Sequence, residues 1–271
     1  MIDFPNAKIN LGLNVVRKRP DGYHDLETIF YPIPLKDALE ITLSDRDSFK
    51  QDGIKLDSPS QENLVIKAIN ALKRYHEIPA LDIHLIKSIP FGAGLGGGSS
   101  DASFTLKLVN KLCGLEVKSE TLERIAATIG ADCPFFIRNR PVLAKGIGDQ
   151  FEPVELSLNG YYICLVKPDI SVSTPEAYSM VKPAEPKISL KEIIKRPVDE
   201  WKGLMVNDFE ISVFNKYPII KEIKERLYDE GAIYASMSGS GSSLFGIFKK
   251  PTNIKERNIF EKCFVWEAAL V

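Results

Sequence analysis

Five glycines fall within seven positions in the run Gly92-Ala93-Gly94-Leu95-Gly96-Gly97-Gly98-Ser99-Ser100. Glycine loses more conformational freedom on ordering than any other residue. A run of it therefore marks backbone that takes unusual φ and ψ values or approaches another group closely. The alternating stretch Leu81-Asp82-Ile83-His84-Leu85 before it predicts a half-buried strand ending near Ile89-Pro90. An amphipathic pattern follows from Ser99, Ser100 and Asp101 to about Cys113, with Gly114 as its stop. A loop placed between a strand and a helix start gathers backbone N–H groups and a helix N-terminus on one concavity. Phosphate is the natural occupant of such a concavity. A flexible linker would not sit so tightly between two regular elements.

Three known phosphate loops match these glycines only in part. The Walker loop needs a lysine directly before the Ser or Thr, and none precedes Ser99 or Ser100. The dinucleotide pattern G-x-G-x-x-G is present at Gly92, Gly94 and Gly97, but the strand before it alternates where a central parallel strand is apolar throughout. The downstream V-A-I-K, H-R-D and D-F-G segments of a protein kinase do not occur.

At the start of the chain, Ile9, Leu11, Leu13 and Val15 alternate with Lys8, Asn10, Gly12 and Asn14, which predicts a strand with one buried side. Further strands are expected over 26–31, 39–43 and 142–145. A helix is expected over 62–75 with Ser60 as its cap, and another over 120–129, capped by Ser119 and closed by Gly130. Beyond about residue 155 the pattern changes. Strands are expected over 161–166, 232–237, 244–248 and 264–268. Helices are expected to open at Thr174-Pro175, with proline first, and at Pro218, with one more over 254–262. That order fits a split β-α-β arrangement. Two domains, 1–155 and 156–271, are expected. The stretch 182–201 has several prolines and no clear period.

Lys and Arg total 35 against 36 Asp and Glu, a formal net charge of -1. No global field collects nucleic acid or an anionic membrane, so neither is an expected partner. Cys113, Cys133, Cys164 and Cys263 form no C-x-x-C pair and have no histidine at a zinc spacing, so no metal site is assigned; His76 and His84 read as surface residues. The first residues, MIDFPNAKIN, lack the basic and apolar regions of a signal peptide, and no apolar stretch is long enough to span a bilayer. The expected location is the cytoplasm, with thiols reduced.

Pro90-Phe91-Gly92-Ala93-Gly94-Leu95-Gly96-Gly97-Gly98-Ser99-Ser100-Asp101-Ala102 resembles the second motif of the GHMP small-molecule kinases. Pro5-Asn6-Ala7-Lys8-Ile9-Asn10 is similar to their first motif, and Ser236-Met237-Ser238-Gly239-Ser240-Gly241-Ser242-Ser243 to their third. The three stand in the family's order and spacing across nearly the whole chain. Asp21-Gly22-Tyr23-His24 and Gly130-Ala131-Asp132-Cys133-Pro134-Phe135 are most similar to the members acting on a diphosphocytidyl sugar alcohol.

The resemblance implies an α+β, two-domain fold: a ribosomal protein S5 domain 2-like N-terminal half and a ferredoxin-like C-terminal half, with the active site between them. It implies ATP-dependent phosphorylation of the 2-hydroxyl of 4-diphosphocytidyl-2-C-methyl-D-erythritol, in the non-mevalonate route to isoprenoid precursors. It also implies Mg2+ accompanying ATP, although no residue here is assigned as a ligand, and a monomer or homodimer. The loop Pro90 to Ser100 would hold ATP, Asp132 would act as base and Lys8 as its cationic partner. Ser99 and Ser100 would reach phosphate oxygens or the metal's waters. Asn10, Tyr23, His24, Thr174, Tyr178, Gly239 and Gly241 would bind the acceptor, with the Tyr23-His24 pair holding the cytosine and Tyr178 stacking on it. On residue type alone Lys8 fits a solubilising lysine at a strand edge, Asp132 a helix-terminal aspartate and Tyr178 a core position. Asn207-Asp208 echoes a family segment without a chemical role. Another acceptor of the same superfamily (homoserine, mevalonate or a sugar) or a non-catalytic nucleotide-binding protein are the alternatives.

Overall fold

The computed structural model describes residues 1–54 and 63–270. Their contacts divide into two compact units, each discontinuous in sequence. The first comprises Met1–Lys8, Leu35–Phe91 and Gly96–Arg140. The second comprises Ile9–Pro34, Gly92–Leu95 and Pro141–Val271. The discontinuity follows from two long strands, β2 (Asn6–Lys18) and β3 (His24–Lys36), whose residues are shared between the units.

The first unit holds a sheet of order β1-β4-β6-β5, made of β1 (Ile2–Asp3), β4 (Ala38–Leu43), β5 (Ser48–Gly53) and β6 (Leu81–Lys87). β4 runs antiparallel to β6, pairing Leu39 with Leu85 and Ile41 with Ile83, while β5 runs parallel to β6. Leu39, Ile41, Leu81, Ile83 and Leu85 fill the buried side, and the expected period of two is present in β6. Helices α1 (Leu64–Lys73), α2 (Gly97–Leu112), α3 (Ser119–Ala127) and α4 (Cys133–Arg138) complete the unit. Asn63, whose side chain accepts from the Val65 N–H, caps α1. The expected cap Ser60 lies outside the described residues. The N-cap of α3 is Lys118 and not Ser119, which is already helical. α2 begins at Gly97, before the serines expected to open it.

In the second unit, β2 and β3 continue a sheet of order β2-β3-β7-β8, with β7 (Val142–Lys145) and β8 (Gln150–Pro153). A second sheet, of order β10-β11-β9-β12, is antiparallel throughout. Its strands are β9 (Tyr162–Lys167), β10 (Tyr234–Met237), β11 (Leu244–Phe248) and β12 (Phe264–Ala269). This is the ferredoxin-like order. α5 (Thr174–Tyr178), α6 (Leu190–Ile193), α7 (Phe209–Lys216) and α8 (Pro218–Asp229) lie between β9 and β10. Pro175 is the second helical residue of α5, because Ser173 and Glu176 form a capping box that starts the helix at Thr174. α8 buries Ile220, Ile223 and Leu227, one helical stripe, in a core shared with Phe209, Val213, Val166 and Met237.

Two expectations fail here. No helix forms over 254–262. Asn258 and Lys262 take left-handed φ of 52° and 60°, which interrupts a helical run, so only turns remain; the Glu267 carboxylate of β12 accepts from the Ile254 and Lys255 N–H groups. Nor does β2 have an open polar side: Asn6, Lys8, Asn10 and Asn14 are buried along with its apolar residues. The aperiodic stretch 182–201 is anchored at its end by Trp201, wholly buried against Tyr234, with its indole N–H donating to the Arg196 carbonyl. No helix among the described residues is long and apolar enough to cross a membrane.

A buried ion triad fixes the first unit around the glycine run. The Lys87 ammonium donates to Asp37 and, at 2.6 Å, to Asp101 of α2. Asp37 also accepts from the N–H groups of Ser88 and Ile89, at 2.5 and 2.8 Å. Both ends of the loop are thus tied to one cation. Burial pulls Lys87 down, but the two carboxylates outweigh it and hold the ammonium above its usual value. Asp101 is pushed up to about 7, first by burial and then by the Asp37 charge, against the pull of Lys87.

A carboxyl whose native value lies above its unfolded one keeps an extra proton in the native state between the two. Its contribution to stability therefore falls as pH rises through that window, here from 3.8 to about 7. Urea midpoints measured from about pH 4 to about pH 8 should decline more steeply in the native chain than in Asp101→Asn. Parallel profiles would place the extra proton elsewhere.

Candidate active site

The glycine run is held open by backbone geometry. Gly94 and Gly96 take left-handed φ of 73° and 69°, a region that costs most other residues steric strain. A Cβ at Gly96 would also lie 2.9 Å from the Phe136 ring and 3.2 Å from Cγ of Lys8. Gly96 is the N-cap of α2 and offers no side chain, so the first N–H groups of this 16-residue helix are left for an outside acceptor. Ser100, fully buried in the first turn, has a hydroxyl oxygen with no hydrogen-bond partner among the described residues. Pro90, Ala93 and Leu95 are buried, whereas Phe91 is 67% exposed. Gly92, Gly97, Gly98 and Ser99 complete the run.

Lys8 and Asp132, both in the first unit, are brought together. The Lys8 ammonium stands 3.5 Å from the Asp132 carboxylate. Their exposure is unequal: the lysine side chain is 4% exposed and the aspartate 35%. The cation, rather than the carboxylate, carries most of the desolvation. Burial pulls Lys8 below the usual lysine value, while the charge and hydrogen bond of Asp132 pull it back up. Asp132 is the N-cap of α4, but its side chain makes no capping bond, which leaves the carboxylate free to face Lys8. Beside it, burial pushes the Cys133 thiol up to about 11, far from a nucleophilic thiolate.

In the second unit, the three glycine and strand motifs meet at Ser238. Its hydroxyl donates to the Gly94 carbonyl at 2.8 Å and accepts from the Asn10 N–H at 3.2 Å. Asn10 has its own amide engaged, donating to Thr28 at 2.9 Å. A Cβ on Gly239 would meet Asn10 and Gly94 at 3.3 Å, and Gly241 donates its N–H to the Ser238 carbonyl. Asn207 closes the third loop, donating to the carbonyls of Met237 and Gly239 at 2.8 and 2.9 Å. Asp208 accepts from the Val15 N–H at 2.7 Å, so this pair ties the loop to β2. Neither Ser238 nor Asn207 stands out by pattern. Their only sequence signals are a serine inside the third motif and an Asn-Asp pair opening an apolar stretch.

His24 and Tyr178 stack on each other, with ring centroids 4.5 Å apart and planes 24° apart, and Tyr178 meets Phe209 edge-on at 4.7 Å. Tyr178 is thus both a core contact and one face of an aromatic platform. Tyr23, by contrast, is 62% exposed, and Thr174 is exposed at the start of α5.

Residues 63–140 match the GHMP kinases N terminal domain, and residues 189–259 match the GHMP kinases C terminal domain. The chain is 68% identical over 270 residues to a 4-diphosphocytidyl-2-C-methyl-D-erythritol kinase of Parabacteroides distasonis. It is 56% identical over 274 residues to one of Bacteroides fragilis, and in both cases 100% of each chain is covered. A crystal structure of a 4-(cytidine 5'-diphospho)-2C-methyl-D-erythritol kinase is similar with a TM-score of 0.86 at 33% identity, covering 100% of this chain and 99% of that one. A homoserine kinase from Cytophaga hutchinsonii, at 18% identity and a TM-score of 0.60, shares the fold; 98% of this chain and 94% of that one are covered. With both halves matched and full-length relatives far above 30% identity, the chain belongs to the GHMP kinase family.

Proposed function

We propose that this kinase transfers the γ-phosphoryl group of ATP to the 2-hydroxyl of 4-diphosphocytidyl-2-C-methyl-D-erythritol. The acceptor oxygen forms a bond to the γ-phosphorus, the bond from that phosphorus to the β–γ bridging oxygen breaks, and the hydroxyl proton passes to the Asp132 carboxylate. The observation that carries this chemistry is the Lys8–Asp132 pair at 3.5 Å, one partner buried and the other half-open. Lys8 faces and aims the carboxylate, and the glycine loop with the first turn of α2 holds phosphate oxygens on backbone N–H groups. Mg2+ bound with ATP would neutralise phosphate charge. The unpartnered Ser100 hydroxyl fits a phosphate oxygen or one of the ion's waters.

The acceptor is supported by the full-length identity to kinases named for it and by the His24–Tyr178 platform. A flat aromatic surface suits a cytosine, whereas homoserine, mevalonate and sugars carry no aromatic base to stack. Coupled ADP release with 4-diphosphocytidyl-2-C-methyl-D-erythritol, homoserine, mevalonate and galactose tests the choice; activity with another acceptor and none with the first sinks it.

Asp132→Asn should lower kcat by about 10²–10⁴-fold, the usual contribution of a positioned general base. Lys8→Ala should be similarly severe. ATP binding, measured by calorimetry, should persist in both, and near-native turnover in either removes that residue from the mechanism. Stacking on an aromatic face contributes roughly 1–3 kcal/mol. Tyr178→Ala removes the ring on which His24 stacks and should therefore raise KM for the cytidine acceptor by about 5- to 150-fold and leave KM for ATP unchanged. An unchanged acceptor KM would show that the platform does not hold the base.

A further inference from the structure

Asp132 sits at the head of a helix that cannot position it alone. α4 has only six residues, well short of the length at which a helix supports itself. Its neighbour α2 carries two polar side chains where packing calls for apolar ones. Ser103 is wholly buried, on a helix that also buries Ala102, Leu106 and Val109. A buried hydroxyl is costly unless it is bonded. Here it lies 2.6 Å from the carbonyl oxygen of Cys133, the residue after Asp132, and 2.9 Å from that of Ser99. A single hydroxyl proton cannot serve both fully, and the shorter distance is to α4.

One turn further along α2, the Lys107 ammonium donates to the carbonyl of Phe136 at 3.1 Å. It stands 3.4 Å from the centroid of the Phe104 ring. Burial pulls this ammonium down to about 8, with only Asp3 opposing. Ser99, Ser103 and Lys107 are spaced four apart, so they share one face of α2. That face meets the first and fourth carbonyls of α4. The far end of α4 is tied to β2, because Asn139 donates to Asn6 at 2.6 Å, two residues before Lys8.

Building on Asp132 as the base, we propose that Ser103 and Lys107 are positioning residues for it. They hold the carbonyls of α4 on the helix that begins at the glycine loop, so the Asp132 carboxylate keeps one distance from Lys8 and from the loop. Neither residue touches the reacting atoms. Their effect should appear in kcat alone, and only while Asp132 is present.

The test is a double-mutant cycle on the full chain, with ATP and the acceptor identified by the panel above. Ser103→Ala and Lys107→Met should each lower kcat about tenfold, while KM for ATP and for the acceptor stays within about twofold, since misplacement of a reacting group by about 1 Å costs up to 10² in rate. Lys107→Arg, which keeps a cationic donor, should restore kcat to within about twofold of the native chain. In the Asp132→Asn background the same two substitutions should change the residual kcat by less than about twofold, because a positioning residue has nothing left to position. Unchanged kcat in both single variants, or a full additional loss on Asp132→Asn, overturns the proposal while leaving Asp132 as the base. Native turnover by Asp132→Asn itself overturns both. Should Lys107→Met fail to fold, as judged by thermal unfolding and ATP binding, the Ser103→Ala arm of the cycle decides alone.

Discussion

The architecture depends on a polar strand face that is not allowed to meet water. β2 buries its apolar residues on one side and Asn6, Lys8 and Asn10 on the other. Leaving a buried amide or ammonium unpartnered costs several kcal/mol, so each of these side chains dictates what must come to it. Asn6 takes Asn139, Lys8 takes Asp132, and Asn10 takes Thr28 and the hydroxyl of Ser238. In the first unit the outcome is a carboxylate placed beside a lysine. In the second it is a serine joining two glycine loops. The groups proposed as functional are thus among the partners that this buried polar face requires.

On the proposed reading, phosphate would be held by backbone rather than by side-chain charge. A net charge of -1 offers no global field to attract a polyphosphate. The left-handed glycines allow the loop to approach Phe136 and Lys8 more closely than any Cβ permits, and they leave the first N–H groups of α2 uncapped. Such a loop has few side chains with which to hold itself. The Lys87 triad supplies what is missing, gripping the Ser88 and Ile89 N–H groups through Asp37 at one end and Asp101 at the other.

Much of this was legible before any coordinates. Glycine density flagged the loop, alternation gave β2, β3, β4 and β6, and three motifs in order carried the family. What stayed hidden has specific physical causes. Alternation in β2 reports two unlike faces but not that both are covered, so Lys8 read equally well as a surface lysine. The helix expected over 254–262 has adequate periodicity, but Asn258 and Lys262 take left-handed φ, which periodicity does not report and which interrupts a helical run. Ser103, Asn207 and Ser238 are ordinary polar residues by type. Only the carbonyls that meet them in three dimensions, those of Cys133, Met237, Gly239 and Gly94, distinguish them.

The unequal burial of Lys8 and Asp132 bears on how such a pair works. Desolvation disfavours whichever partner is charged and buried. Were the carboxylate enclosed and the lysine exposed, burial would raise the carboxyl toward protonation and remove its capacity to accept a proton. The arrangement found puts that penalty on the ammonium, which burial pulls below the usual lysine value while the charge and hydrogen bond of Asp132 oppose the fall. The carboxylate, 35% exposed, is open to an incoming hydroxyl, while the buried stem of Lys8 lies close to Gly96. A substitution at Gly96 would therefore act on the pair as well as on the loop, because the first atom added there would press on the Lys8 stem.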